Sequence, residues 1–279
     1  MTGFDLHTHT IFSDGTTTPE ENIRAALELG LEGIGVTDHD TTAPFERALE
    51  AADGTGLEVV LGTEFSAELD GWSVHVLGFW IDPGHPLLAD ELERLHDERA
   101  DRAHRIVSRF VDLGIPVTYE RVAAHAAGAP IGRPHIARAV VETGAVATEE
   151  EVFELYLGDG GQAYVEKHAV PPARAVELLV AAGGVAVLAH PGLYADRSGD
   201  GGLGSQPIEA MAAAGLAGIE ADHPDHAAEQ RSRYRDLAAA LGLEVTGGSD
   251  YHGSTKPNLL GAATTPRAVV ERLRGWRRA

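Results

Sequence analysis

Nine residues spread along the chain are of the types that hold divalent metal ions: His7, His9, Asp14, His39, Glu64, His75, His190, Asp250 and His252. His7 and His9 lie in Phe4-Asp5-Leu6-His7-Thr8-His9-Thr10, which alternates like a short strand and so projects both imidazoles from one face. Two imidazoles side by side supply half of a metal's coordination shell. Asp14-Gly15 then turns the chain back with a carboxylate at the mouth of the same strand. The chain has no cysteine, which removes disulfides and thiolate sites and leaves His, Asp and Glu as the available ligands. Nine nitrogen and oxygen donors exceed what one ion can use. Two or three clustered divalent ions are therefore implied, with Glu64 a carboxylate suited to bridging a pair.

The elements that must position these residues follow a repeating pattern. Thr18-Pro19-Glu20-Glu21 reads as an N-cap, a proline at the first helical position and a capping box closed by Glu21. Ile23, Ala26, Leu27 and Gly30 form the expected buried stripe of that helix. Gly33-Ile34-Gly35-Val36-Thr37 is a short apolar strand delivering Asp38-His39, and a helix over 44–55 follows. A buried strand over 57–64 ends on Glu64, and the alternating strand 72–79 carries His75. Later, Val185–Ala189 delivers His190, Leu216–Ala221 leads to His223 and His226, and 243–249 ends at Asp250 and His252. Helices are expected over 172–182, 227–241 and 266–276. Strand, polar residue at its C-terminal end, helix, and again: this rhythm implies a parallel α/β barrel or a doubly wound sheet with its reactive groups at one rim.

Between roughly 96 and 160 the period is helical. Leu88, Leu92, Leu95, Ala103, Ile106, Phe110 and Leu113 share one face of a helix from Pro86 to Leu113, and shorter helices are expected over 118–127, 134–143 and 148–157. This predicts a small inserted domain, residues 96–160, with the barrel formed by 1–95 and 161–279. Gly132-Arg133-Pro134-His135 places an arginine and a histidine where a helix begins. That is a candidate phosphate contact, or equally a simple turn with a surface arginine.

The net charge of −21 argues against long nucleic acid or an anionic membrane as a partner, whereas small anions remain accessible if bound cations supply local positive charge. The most apolar run, 176–188, is too short to span a bilayer and is broken by Gly183-Gly184. No signal peptide precedes Phe4, so a cytoplasmic enzyme with no obligate protein partner is the expectation.

His7-x-His9 with Asp14, Thr37-Asp38-His39, Gly62-x-Glu64, Ala189-His190-Pro191 and Ser249-Asp250-x-His252 together resemble the PHP (polymerase and histidinol phosphatase) family, in order and over almost the whole chain. The resemblance implies a distorted (β/α)7 barrel with a trinuclear metal centre and a small inserted all-helical domain covering the site. It implies His7, His9, Glu64 and Asp250 around one ion, Glu64, His75 and His190 around a second, and Asp14, His39 and His252 around a third. Some relatives carry histidine where Asp14 stands. The insertion and the Glu220…His223-Pro224-Asp225-His226 segment look like the stand-alone subgroup acting on nucleotides. That likeness implies substrate contacts from Arg133, His135 and His223, and catalytic roles for Asp250, Glu64 and His223. The expected activity is metal-dependent removal of the 3′-phosphate from a 3′,5′-bisphosphonucleotide such as pAp, by hydroxide from a water whose pKa is lowered by Mn, Fe or Zn. The runner-up is a 5′→3′ exoribonuclease on short oligonucleotides. Histidinol-phosphate phosphatase and a noncatalytic metal-binding PHP module are further alternatives, and the leaving group is protonated by His223 or stabilised by metal.

Overall fold

The computed structural model describes residues 2–126, 131–158, 160–165, 169–194 and 201–277, with the side chains of positions 99 and 100 left aside. The described residues form two compact units, Met1–Glu91 with Val170–Ala279, and Leu92–Ala169.

The first unit is built on a seven-stranded sheet whose spatial order is its sequence order: β1 (Phe4–Asp5), β2 (Gly33–Val36), β3 (Glu58–Leu69), β4 (Trp72–Phe79), β5 (Val185–Leu188), β6 (Gly218–Asp222) and β7 (Glu244–Gly247). β1, β2 and β3 run parallel, as do β5, β6 and β7, but β4 is antiparallel to both its neighbours. The expected uniformly parallel rhythm is therefore corrected. β3 and β4 are a hairpin closed by Asp70-Gly71, both with positive φ (51° and 88°), the pair of conformations that a two-residue turn between twisted strands requires. The reversal makes β3 twelve residues long, so Glu64 sits within a strand rather than at its end.

The sheet curls into a nearly closed barrel. Thr8 bridges Tyr251 in parallel, and His9 N donates to Tyr251 O at 2.8 Å. A buried carboxylate fastens this seam: Asp5 accepts from His7 N (3.3 Å), Ser249 N (2.9 Å) and Gly261 N (2.7 Å). Burial outweighs these donors and pushes its pKa up to about 6. Phe4, Leu6, Val60, Leu77, Phe79, Val185 and Val187 pack with Val270 and Leu273 in one core cluster.

Helices α1 (Pro19–Leu29) and α2 (Phe45–Ala52) pack on each other and follow β1 and β2. The capping box at α1 forms as expected, with Glu21 N donating to Thr18 Oγ1 and Thr18 N to Glu21 Oε2. Its buried stripe differs: Leu27 is 39% exposed, while Asn22 is buried and donates from Nδ2 to His9 O at 2.9 Å. The helix thus uses a polar residue to hold the metal-type loop. α3 (Pro86–Asp112) is a 27-residue helix that begins in this unit and continues into the second.

Within the second unit, α4 (Tyr119–Ala126), α5 (Arg133–Glu142) and α6 (Glu149–Val152) surround a core of Ala103, Ile106, Phe110, Val122, Ile136, Val140, Val152 and Leu157. The expected end of α4 at Ala127 lies outside the described residues. After α6 the chain widens into a single π-type stretch at Phe153–Leu157, where a regular helix is expected from sequence. Leu113, placed on the apolar face of α3, is 41% exposed because it lies past the helix end.

Back in the first unit come α7 (Pro172–Ala181), α8 (Ser205–Ala214), α9 (Ala228–Leu241) and α10 (Arg267–Gly275). α8 has no counterpart among the sequence expectations. No described helix is long and apolar enough to cross a membrane.

Candidate metal centre

All nine expected ligands lie in the first unit, six imidazoles gathered about three carboxylates. Glu64 is the hub. Its Oε2 lies 3.3 Å from His7 Nε2, 3.1 Å from His9 Nε2 and 3.1 Å from His39 Nδ1, and its Oε1 lies 2.8 Å from His75 Nδ1 and 2.9 Å from His190 Nε2. Asp250 Oδ1 stands 3.5 Å from His7 Nε2 and 3.3 Å from His9 Nε2. Asp14 Oδ1 stands 3.2 Å from His252 Nε2, and Asp14 Oδ2 is 3.8 Å from His39 Nε2.

Three sets of donor atoms are compact enough for single ions: His7, His9, Glu64 and Asp250; His9, Asp14, His39 and His252; and His39, Glu64 and His75. The first is the set expected from sequence. The second contains the expected Asp14, His39 and His252 and adds His9. The third places His39 beside Glu64 and His75, while His190 reaches Glu64 Oε1 from its own side.

Backbone geometry aims these side chains inward. His190 and Asp250 take positive φ of 26° and 53° without being glycine, a conformation costing roughly 1–3 kcal/mol each and found where function fixes the chain. Gly248 permits a close approach to the cage: a Cβ there would lie 2.4 Å from His7 Cβ and 2.5 Å from Glu220 Oε1.

The fit to metal ions rests on which nitrogen of each ring is spoken for. His7 Nδ1 meets Glu220 at 3.0 Å, His75 Nε2 meets Ser73 Oγ at 3.0 Å, and His252 Nδ1 meets Asp250 O at 2.8 Å. The opposite nitrogens, His7 Nε2, His75 Nδ1 and His252 Nε2, are buried without a hydrogen bond. So are His9 Nε2, His39 Nδ1, Glu64 Oε2 and Asp250 Oδ1. Lone pairs turned toward one another and away from protein donors make a cage for cations, since a buried acceptor left unmatched is costly. With imidazole and carboxylate donors and no thiolate, that cage suits borderline divalent ions.

The cage sets opposite charges against one another at short range. Burial by itself would raise Glu64 and Asp250, but His39, His75 and His7 around Glu64, and His7 and Lys256 around Asp250, hold both well below the usual carboxylate range. Burial disfavours a charged His7, yet Glu220, Glu64 and Asp250 raise its pKa well above the ordinary value. His39 goes the other way, held well below its ordinary value by burial.

Further residues surround the cage, and Glu220, Asp38 and Lys256 among them have no site role assigned from the sequence. Glu220, fully buried in β6, grips His7 Nδ1 and accepts from His190 N at 3.0 Å. A lone carboxylate in an apolar strand was the available signal. Asp38 accepts from Thr10 and Ser13 and braces the His9 loop. Lys256 Nζ lies 2.6 Å from Asp250 Oδ2. His223, an expected catalytic and substrate-binding residue, has its Nε2 3.7 Å from that same oxygen.

Arg133 and His135, the other expected substrate contacts, belong to the second unit. Both sit in the first turn of α5. Arg133 donates to Leu157 O at 3.2 Å and lies over the Phe153 ring, while His135 Nδ1 accepts from Gly132 N at 3.0 Å.

The barrel and its cage of imidazoles and carboxylates define a class, and comparison with known proteins places the chain in it. This chain belongs to the PHP domain family, which residues 5–126 match directly. It is 33% identical over 260 residues to the 5′-3′ exoribonuclease Rnm of Salmonella typhimurium, covering 89% of this chain and 85% of that one. It is 34% identical over 257 residues to the 3′,5′-nucleoside bisphosphate phosphatase of Chromobacterium violaceum, covering 90% and 88%. A crystal structure from Bifidobacterium adolescentis, provisionally described as a metal-dependent phosphoesterase, superposes with a TM-score of 0.90 at 36% identity, over 100% of this chain and 97% of the other. The family is one of metal-dependent phosphoesterases, and this chain is a hydrolase of that kind.

Proposed function

We propose that this phosphoesterase removes the 3′-phosphate from 3′,5′-bisphosphonucleotides, converting pAp to AMP, with two or three Mn, Fe or Zn ions held by His7, His9, Asp14, His39, Glu64, His75, His190, Asp250 and His252. The carrying observation is the meeting of five imidazoles on the two oxygens of Glu64. When bound, such ions would lower the pKa of a water and neutralise charge on the phosphate. Glu64 and Asp250 are the anionic supports of the cage, and Glu220 fixes the His7 tautomer so that Nε2 faces inward. The half-buried Asp14, His39 and His75 mark the open side, through which a small anionic substrate would enter. Arg133 and His135 are assigned to the second phosphate, a bidentate guanidinium being well matched to it.

The net charge of −21 supports a short substrate, because a long strand needs a basic track along the protein. A second reading, 5′→3′ trimming of short oligoribonucleotides, draws on the equally strong likeness to Rnm. Rates of phosphate or nucleotide release from pAp and from a 5′-phosphorylated pentaribonucleotide, with Mn²⁺ and after chelator treatment, separate the two. A higher kcat/KM on pAp is expected. A preference for the pentanucleotide selects the second reading, and metal-independent or absent turnover of both defeats either. Replacing Arg133 with Ala should raise KM for pAp at least about tenfold while sparing the metal content.

A further inference from the structure

Asp250 presents its two oxygens to different company. Oδ1 faces His7 and His9 in the cage, whereas Oδ2 faces Lys256 Nζ at 2.6 Å and His223 Nε2 at 3.7 Å. An ammonium carries three N–H donors, and Asp250 is the sole side-chain partner of Lys256 among the described residues. With its side chain 40% exposed, Lys256 keeps donors for an incoming group. No other lysine or arginine among the described residues makes an ion pair or hydrogen bond with the nine-residue set.

His223 is in the opposite situation, fully buried and half satisfied. Its Nδ1 accepts from Asp225 N at 3.2 Å, so the neutral ring carries its proton on Nε2. That Nε2 has no hydrogen-bond partner, and 3.7 Å to Asp250 is too long for one. His226, three residues on, shows what a structural histidine looks like here: Nδ1 meets Ala221 O at 2.9 Å, and Nε2 accepts from Gly192 N at 3.0 Å. A buried N–H left over beside an ammonium is a donor pair awaiting an acceptor.

We propose that Lys256 Nζ and His223 Nε2 form a two-donor subsite for a nonbridging phosphate oxygen of the substrate, on the Oδ2 side of Asp250. The proposal rests on the phosphoesterase reading and adds Lys256 to the residues that touch the substrate. The ligand class is an oxyanion: one donor is a compact positive charge of the kind that binds phosphate, and the other adds direction. In a chain with 22 basic against 43 acidic residues, a lysine pinned at this position gives an anion its local counter-charge.

The test uses Mn-loaded full-length protein with K256M, K256R, H223N and the K256M/H223N double variant. Mn content by elemental analysis and inorganic phosphate affinity by calorimetry are measured side by side. K256M should bind phosphate about 10- to 100-fold more weakly and H223N about tenfold more weakly, with Mn content unchanged. K256R should retain most of the affinity, and the double variant should lose less than the product of the single losses, since both donors serve one oxygen. Phosphate affinity of K256M within twofold of the parent at full Mn content would overturn the proposal. So would loss of Mn from both K256M and K256R, which would make Lys256 only a support for Asp250. Wild-type protein that binds phosphate through Lys256 but hydrolyses no phosphate ester would leave the subsite standing and defeat the phosphoesterase reading instead.

Discussion

Glu220 shows how one side chain sets the chemistry of another. A carboxylate on Nδ1 of His7 places that ring's proton outward and its lone pair inward. Removing such an outer partner typically weakens metal binding by about 10–100-fold. Glu220→Gln, whose amide oxygen still accepts one hydrogen bond, is therefore expected to weaken Mn²⁺ affinity by about tenfold or more in a chelator competition, with the melting temperature of the metal-free protein little changed. Unaltered affinity would mean that His7 needs no help. Glu64→Gln is the harsher change, since one residue serves five rings. Elemental analysis should find at least one fewer ion per chain, and phosphate release from pAp should fall by at least about a hundredfold.

At the scale of elements, the loop between β7 and α10 does much of the positioning. Gly248 lets His7 and Glu220 lie against its backbone, and a methyl group there would stand within 2.5 Å of both. Those neighbours are packed side chains with nowhere to go, so Gly248→Ala should destabilise the fold by about 1–3 kcal/mol and lower Mn occupancy as well. Urea titration with metal analysis measures both, and a variant of unchanged midpoint would show that the strands can spread. Thr18 offers a contrast at the start of α1, away from the cage: Thr18→Ala should cost about 1 kcal/mol of stability and leave metal content alone.

For the whole molecule, the cage concentrates buried charge that bound cations would balance. Ions that bind the folded state alone stabilise it by about 2.7 kcal/mol at a hundred times their dissociation constant. Removing metal with a chelator should accordingly lower the melting temperature, and adding Mn²⁺ back should restore it. A melting curve indifferent to both would contradict a loaded centre. The acidic surface carries its own expectation, that catalysis on short substrates persists while long duplex RNA neither binds nor competes.

The sequence by itself determined which candidate donors the chain carries, their order and much of the secondary structure. Histidines and carboxylates recurring after apolar strands, in a chain without cysteine, led to a metal-holding barrel, and Thr18 with Glu21 marked a helix start correctly. Two local signals were present but unread. Asp70-Gly71 between two alternating strands announced the antiparallel hairpin, and Ile208 and Met211 between Gly204 and Gly215 announced α8. Other features were decided only in three dimensions, because they depend on residues far apart in the chain. The exposure of Leu27 and burial of Asn22 follow from where the His9 loop lies. Glu220 meeting His7, and Lys256 and His223 flanking one oxygen of Asp250, follow from how the barrel closes. Helical and strand periods say which face of an element is apolar. They do not say which partner that face will meet, and the arrangement of this site depends on such meetings.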